Sequence, residues 1–67
     1  MFQVQYKNEN AIVTFTRYYN QSICYITITY IDQPRIDSQR VLPEEFDQEL
    51  KRCEANAIFL HGGEYNV

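Results

Sequence analysis

Apolar and polar side chains alternate along Phe2-Gln3-Val4-Gln5-Tyr6 and again from Ala11 to Tyr19. A period of two gives an extended chain one apolar face and one wet face. Both segments are therefore predicted strands. Ile23 to Ile31 is denser, a run of β-branched, aromatic and sulfur side chains without Gly, Pro or charge. That composition suits a pleated, half-buried surface and predicts the central strand. One of its faces carries Cys24, Ile26, Ile28 and Tyr30, the other Ile23, Tyr25, Thr27, Thr29 and Ile31.

Turn signals set the register. Asn20-Gln21 as a two-residue loop pairs Arg17 with Cys24, Phe15 with Ile26, Val13 with Ile28 and Ala11 with Tyr30. The other face then pairs Tyr18 with Ile23, Thr16 with Tyr25, Thr14 with Thr27 and Ile12 with Thr29. A slip of one residue would turn every apolar side chain to the wrong face. A four-residue loop at Lys7-Asn8-Glu9-Asn10 pairs Val4 with Val13 and Phe2 with Phe15. Both turns bring the same side chains to one core face.

Asp32-Gln33-Pro34-Arg35 is a turn, and the polar segment Ile36–Val41 reads as an edge strand whose charges discourage further pairing. Leu42-Pro43-Glu44-Glu45 opens a helix, because Pro suits the first helical position and carboxylates suit the positive helix end. Leu42, Phe46, Leu50, Cys53 and Ala57 recur at helical spacing, predicting a helix over 43–55 with Asp47 four residues from Lys51. Asn56 suits its end, Ala57–Leu60 predicts a short last strand, His61-Gly62-Gly63 a turn and Glu64–Val67 a loose tail. The expected fold is α+β, a single small domain in the order ββββαβ. A twisted antiparallel sheet of about four to five strands carries one helix on one face.

Sixty-seven residues form a marginal core, burying about 60% of the unfolded surface. Aromatics are plentiful, with six Tyr and four Phe but no Trp, and Tyr is frequent at interfaces. Charge is uneven: residues 1–42 carry net +1 and residues 43–67 carry net −4. No basic stripe of the kind that nucleic-acid binders show is present, and the acidic third suits a basic protein partner better. No basic start followed by an apolar run resembles a leader, and no segment approaches the ~18 apolar residues that span a bilayer. A cytoplasmic location without membrane is the expectation. Cys24 and Cys53 then read as reduced, buried thiols. Asn20-Gln21-Ser22 matches the glycosylation pattern but reads as a turn in an intracellular chain.

Candidate chemistry is sparse. Cys24, Cys53, His61 and Glu64 lack the paired spacing of a structural metal site, so no metal is expected. A Cys53–His61 dyad would lack a third group to orient the imidazole, so no catalytic residues and no enzyme are expected. The only glycines are Gly62 and Gly63 with no helix after them, which excludes a phosphate loop; no cofactor is expected.

Two surfaces stand out. The outer sheet face gathers Ile12, Tyr18, Ile23 and Tyr25, more apolar area than a solvated face usually shows. The helix shows Glu44, Glu45, Asp47 and Gln48 outward. These eight residues are the candidate partner-binding set. The reading is a non-enzymatic module that docks on a larger protein. By size and charge alone it suits an inhibitor of the kind phages and mobile elements encode, occluding a host nucleic-acid-handling protein. The alternatives are a homodimeric structural or regulatory protein using the outer face, and a weak single-stranded nucleic-acid binder using Tyr18, Tyr25, Arg17 and Arg40. Nucleic acid is the less favoured of these.

Overall fold

A computed structural model describes residues 1–18 and 22–64. The order is β1 (Phe2–Lys7), β2 (Ala11–Tyr18), β3 (Ile23–Tyr30), β4 (Ile36–Val41), α1 (Pro43–Asn56) and β5 (Ile58–Glu64). The strands form one antiparallel sheet in the order β4-β3-β2-β1-β5, with α1 packed on one face. This is the expected ββββαβ arrangement. The strand ends expected at Tyr19 and the Asn20-Gln21 turn lie outside the described residues.

The β2–β3 ladder follows the register set by residue type, from Ala11 opposite Tyr30 to Tyr18 opposite Ile23. The β1–β2 ladder does not. Val4 lies opposite Phe15, Tyr6 opposite Val13 and Phe2 opposite Arg17, two residues away from the expected pairing. The cause is Asn8. Its Oδ1 accepts from the backbone N–H groups of Asn10 (2.9 Å) and Ala11 (2.8 Å), and its own N–H donates to Ala11 O (3.0 Å). This side-chain turn begins after Lys7 and lets Lys7 join the strand opposite Ile12. A shift of two keeps the face, so the core composition survives the error.

The core lies between α1 and the faces of β1, β2 and β3. Phe15, Cys24 and Phe46 are fully buried, with Val4 and Tyr6 beside them. Phe46 meets Phe15 edge-on at 5.7 Å between ring centroids and Phe2 at 6.5 Å, and Tyr6 meets Phe15 at 6.2 Å. Such T-shaped pairs each add about 0.5–1.5 kcal/mol beyond area burial. Leu50 and Cys53 continue the stripe of α1, as their spacing predicts, and Ala57, the extended residue just after the helix, packs against the core beside them. Leu42 does not belong to it. It is the exposed residue before the helix, in extended backbone, and its carbonyl accepts the Phe46 N–H at 2.9 Å. The helix ends where Asn56 Nδ2 donates to Arg52 O and the Ala57 N–H donates to Cys53 O.

The last strand is longer than its apolar stretch implies. His61-Gly62-Gly63 is not a turn; it pairs with Gln5, Val4 and Gln3 of β1. The register shifts between Gln5 and Tyr6, leaving Leu60 as the extra residue of a bulge. Gly62 passes so close to Val4 that a Cβ built on it would sit 2.7 Å from Val4 Cα. Here glycine answers a close approach of two backbones within the strand. Of the tail expected to be loose, Glu64 is in β5 and residues 65–67 lie outside the described residues.

Phe46→Ala should therefore cost about 3–5 kcal/mol of unfolding free energy in a urea titration, whereas Leu42→Ala should change it by under ~0.5 kcal/mol.

Candidate functional site

The outer face of the sheet is built in rows. Gln3, Thr16, Tyr25 and Arg40 form one; Gln5, Thr14, Thr27 and Ser38 the next; Lys7, Ile12, Thr29 and Ile36 the third. Side chains opposite one another in an antiparallel ladder share a face and touch. Gln3 Nε2 donates to Thr16 Oγ1 (3.1 Å), Gln5 Nε2 donates to Thr14 Oγ1 (3.0 Å), and the Thr27 and Ser38 hydroxyls share a hydrogen bond at 3.1 Å. Much of this face is thus an amide–hydroxyl ladder with no described element crossing it; Thr16 is buried and Gln3, Gln5, Thr14 and Thr27 are half-buried.

This ladder divides the expected apolar patch. Tyr18 lies opposite Ile23, and its ring meets Tyr25 edge-on at 6.3 Å, so these three cluster at one end of the sheet. Ile12 sits two rows beyond Tyr25, between Lys7 and Thr29. The candidate set Ile12, Tyr18, Ile23 and Tyr25 is therefore a three-residue cluster plus an isolated isoleucine. Arg40 stands opposite Tyr25 on the same face. Arg17 does not join them. It points to the helix side, where its guanidinium lies 5.5 Å from the Phe2 ring centroid and 5.3 Å from that of Phe46, and its Nη1 is 3.7 Å from Asp47 Oδ1.

The helix residues of the candidate set occupy the opposite side of the molecule. Glu44, Glu45, Asp47 and Gln48 are all exposed. Asp47 is tied to Arg17 rather than to Lys51, so it links helix to sheet. Glu49 pairs with Arg52, and Arg35 with Asp37 at 3.1 Å. Among the described residues Glu44 and Glu45 enter no ion pair. Exposed pairs of this kind contribute about 0–1 kcal/mol each.

Beside α1 the core is only partly roofed. Ile26 and Ile28 floor a shallow groove of about 240 Å³ walled by Asp37, Gln39, Glu45 and Glu49. It runs into a cleft of about 430 Å³ beneath the C-terminal half of the helix, where Val13, Phe15, Cys53 and Ala57 add apolar walls. Three carboxylates thus surround two half-buried isoleucines. Composition located the acid in the helix, but Asp37 and the isoleucine floor needed the path of α1 across the sheet.

The two thiols and the Tyr6 phenol are shifted toward their neutral forms. Burial pushes both thiols up, with Arg17 opposing and Asp47 adding to the effect at Cys24, and Arg52 opposing and Glu49 adding at Cys53. Tyr6 is raised by burial and then by the Glu54 carboxylate beside its hydroxyl. Among the described residues, no three His, Cys, Asp or Glu side chains come together to hold a metal. No described helix is long and apolar enough to cross a membrane.

Sequence reasoning missed Ile58, Phe59 and Leu60 as a surface feature. They are 69%, 56% and 39% exposed and lie consecutively on the edge strand β5. Their signal was the absence of any charged residue from Ala55 to Gly63. No protein-family model, no curated protein and no solved structure matches this chain.

Two outcomes follow. Cys53, at the open cleft, should react with a thiol reagent well before the fully buried Cys24, and urea should equalise the two rates; mass spectrometry of the labelled peptides reads this. A folded pKa above the unfolded value favours the neutral phenol of Tyr6. Its contribution is full below the unfolded value of 10.0 and is lost as pH rises through the folded value. Tyr6→Phe should remove the tyrosine's share of the alkaline fall in stability, leaving that of the two thiols, in urea midpoints followed above neutral pH.

Proposed function

We propose that this chain is a non-catalytic protein-binding module that docks through the acid-walled groove beside α1. The observation that carries it is the apolar floor of Ile26 and Ile28 beneath Glu45, Glu49 and Asp37, continued on the helix by the exposed Glu44 and Gln48. A partly roofed apolar strip gives up water on contact; Asp37 and Glu49 of its rim already hold Arg35 and Arg52, and Glu45 with the adjoining Glu44 selects a segment bearing Lys or Arg. A basic groove or arm of a larger protein has that chemistry. Proteins that handle nucleic acid present such surfaces, so occlusion of one by an acidic mimic is the mechanism this reading favours. By analogy of size and charge, an inhibitor encoded by a phage or mobile element fits it.

The nucleic-acid reading has weaker support. Arg17 is engaged by Phe2, Phe46 and Asp47 on the helix side, which leaves Arg40 as the cation beside Tyr25. Tight binding rests on several phosphate contacts.

The test is capture from lysate with tagged wild type and with Glu44→Lys/Glu45→Lys. A stoichiometric protein should survive nuclease treatment with wild type and disappear with the variant, whose circular dichroism stays native. Asp47 is left intact because it ties the helix to Arg17. Retention of that protein by the variant would refute docking at the acidic groove.

A further inference from the structure

We infer that β5 is the seat of a symmetric dimer in which two copies pair edge to edge into one continuous sheet. The two edges of the sheet differ in kind. β4 carries Asp37 and Arg40, and Asp37 lies on the helix side with its carboxylate at the groove. Charges in such places oppose the approach of another strand. β5 carries no charge between Ile58 and Gly63, contains no proline, and exposes Ile58, Phe59 and Leu60 in succession. Its outward backbone groups meet no strand among the described residues. An edge of this composition is a template for a further strand.

The occupant is a second copy because the strand complements itself. About a two-fold axis perpendicular to the sheet, β5 meets its own copy antiparallel, and both helices lie on the same side. The neutral run extends from Ala55 to Gly63, so antiparallel registers centred on Phe59 or Leu60 set no like charges opposite one another. Centred on Phe59, the pairing brings Ile58 of one copy against Leu60 of the other and Phe59 against Phe59; centred on Leu60, it brings Leu60 against Leu60. The bulge at Leu60 bends the strand but adds no charge to it. Phe59 already rests edge-on against Tyr6 at 5.7 Å, a contact within the one chain that restricts its ring before any partner arrives. Pre-ordered side chains lose less entropy on association. The site is separate from the groove beside α1, and the two readings stand or fall independently.

Sedimentation equilibrium of the untagged chain tests this. The expected mass is twice 8.0 kDa, with a dissociation constant of about 1–100 μM. Ile58→Lys/Leu60→Lys should weaken association by roughly a hundredfold or more, while Tyr25→Asp, on the outer face, should leave it unchanged. Hydrogen exchange on wild type needs no variant: amides of β5 should become protected as concentration rises, and those of β4 should not. A monomer up to ~1 mM would overturn the inference. So would a dimer lost with Tyr25→Asp but kept by the lysine pair, a dimer whose β5 amides exchange independently of concentration, or a chain that pairs only with a foreign extended peptide.

Discussion

The insertion of Phe46 between helix and sheet is the contact on which the rest depends. It is the one fully buried residue of α1, and it touches Phe15 on β2 and Phe2 on β1. Arg17 closes this cluster from the rim, lying against both Phe2 and Phe46 and reaching Asp47. Its ion pair is half-exposed and weak on its own. Its stacking covers aromatic surface that would otherwise face water, so the arginine acts here chiefly as packing. With the N-terminal half of α1 held in this way, the helix leaves Ile26 and Ile28 partly unroofed. The groove is thus a consequence of where a single short helix is anchored.

What was legible in the sequence follows the strength of the physical signal. The β2–β3 ladder was readable residue by residue because both strands alternate strongly and a wrong face would bury threonine and expose isoleucine. The β1–β2 register was not, because loop position was inferred from polarity. Asn8 moves that loop one residue along the chain by bonding to the backbone with its side chain, and polarity does not register such a bond. The helix stripe was clear at Phe46, Leu50 and Cys53. It failed at Leu42, where the spacing is helical but the backbone is still extended. His61-Gly62-Gly63 misled for a similar reason. Glycine marks both turns and close approaches, and only the distance from Val4 separates the two.

The candidate site was legible in charge and not in shape. Four acidic or amide residues of the helix were identified from sequence, but one of them, Asp47, is drawn into a weak ion pair with Arg17. The outer face was read as an apolar patch because Ile and Tyr were counted along strands. Counted across strands, the same residues are separated by Gln5, Thr14, Thr27 and Ser38, whose side chains bond in pairs along the row. A sheet face is a two-dimensional object, and its chemistry is set by rows that no single strand reveals.

A small chain with one helix cannot cover both faces and both edges of a five-stranded sheet. This protein leaves them uncovered in different ways. The outer face is made compatible with water by amide–hydroxyl pairs, and the β4 edge by charge. The groove beside α1 keeps isoleucine at its floor inside a rim of carboxylates, and the β5 edge keeps Ile58, Phe59 and Leu60 at its surface without charge. Exposed apolar area carries a free-energy cost in water that scales with its extent. The same chain that spends threonine and glutamine on its outer face leaves that cost standing at the groove and the β5 edge, beyond single exposed residues such as Ile36 and Leu42. These are the places where contact with another surface returns the most, and they differ in what they select. The groove discriminates by charge, so it suits a basic stranger; the edge discriminates by backbone pairing and neutrality, so it suits its own copy.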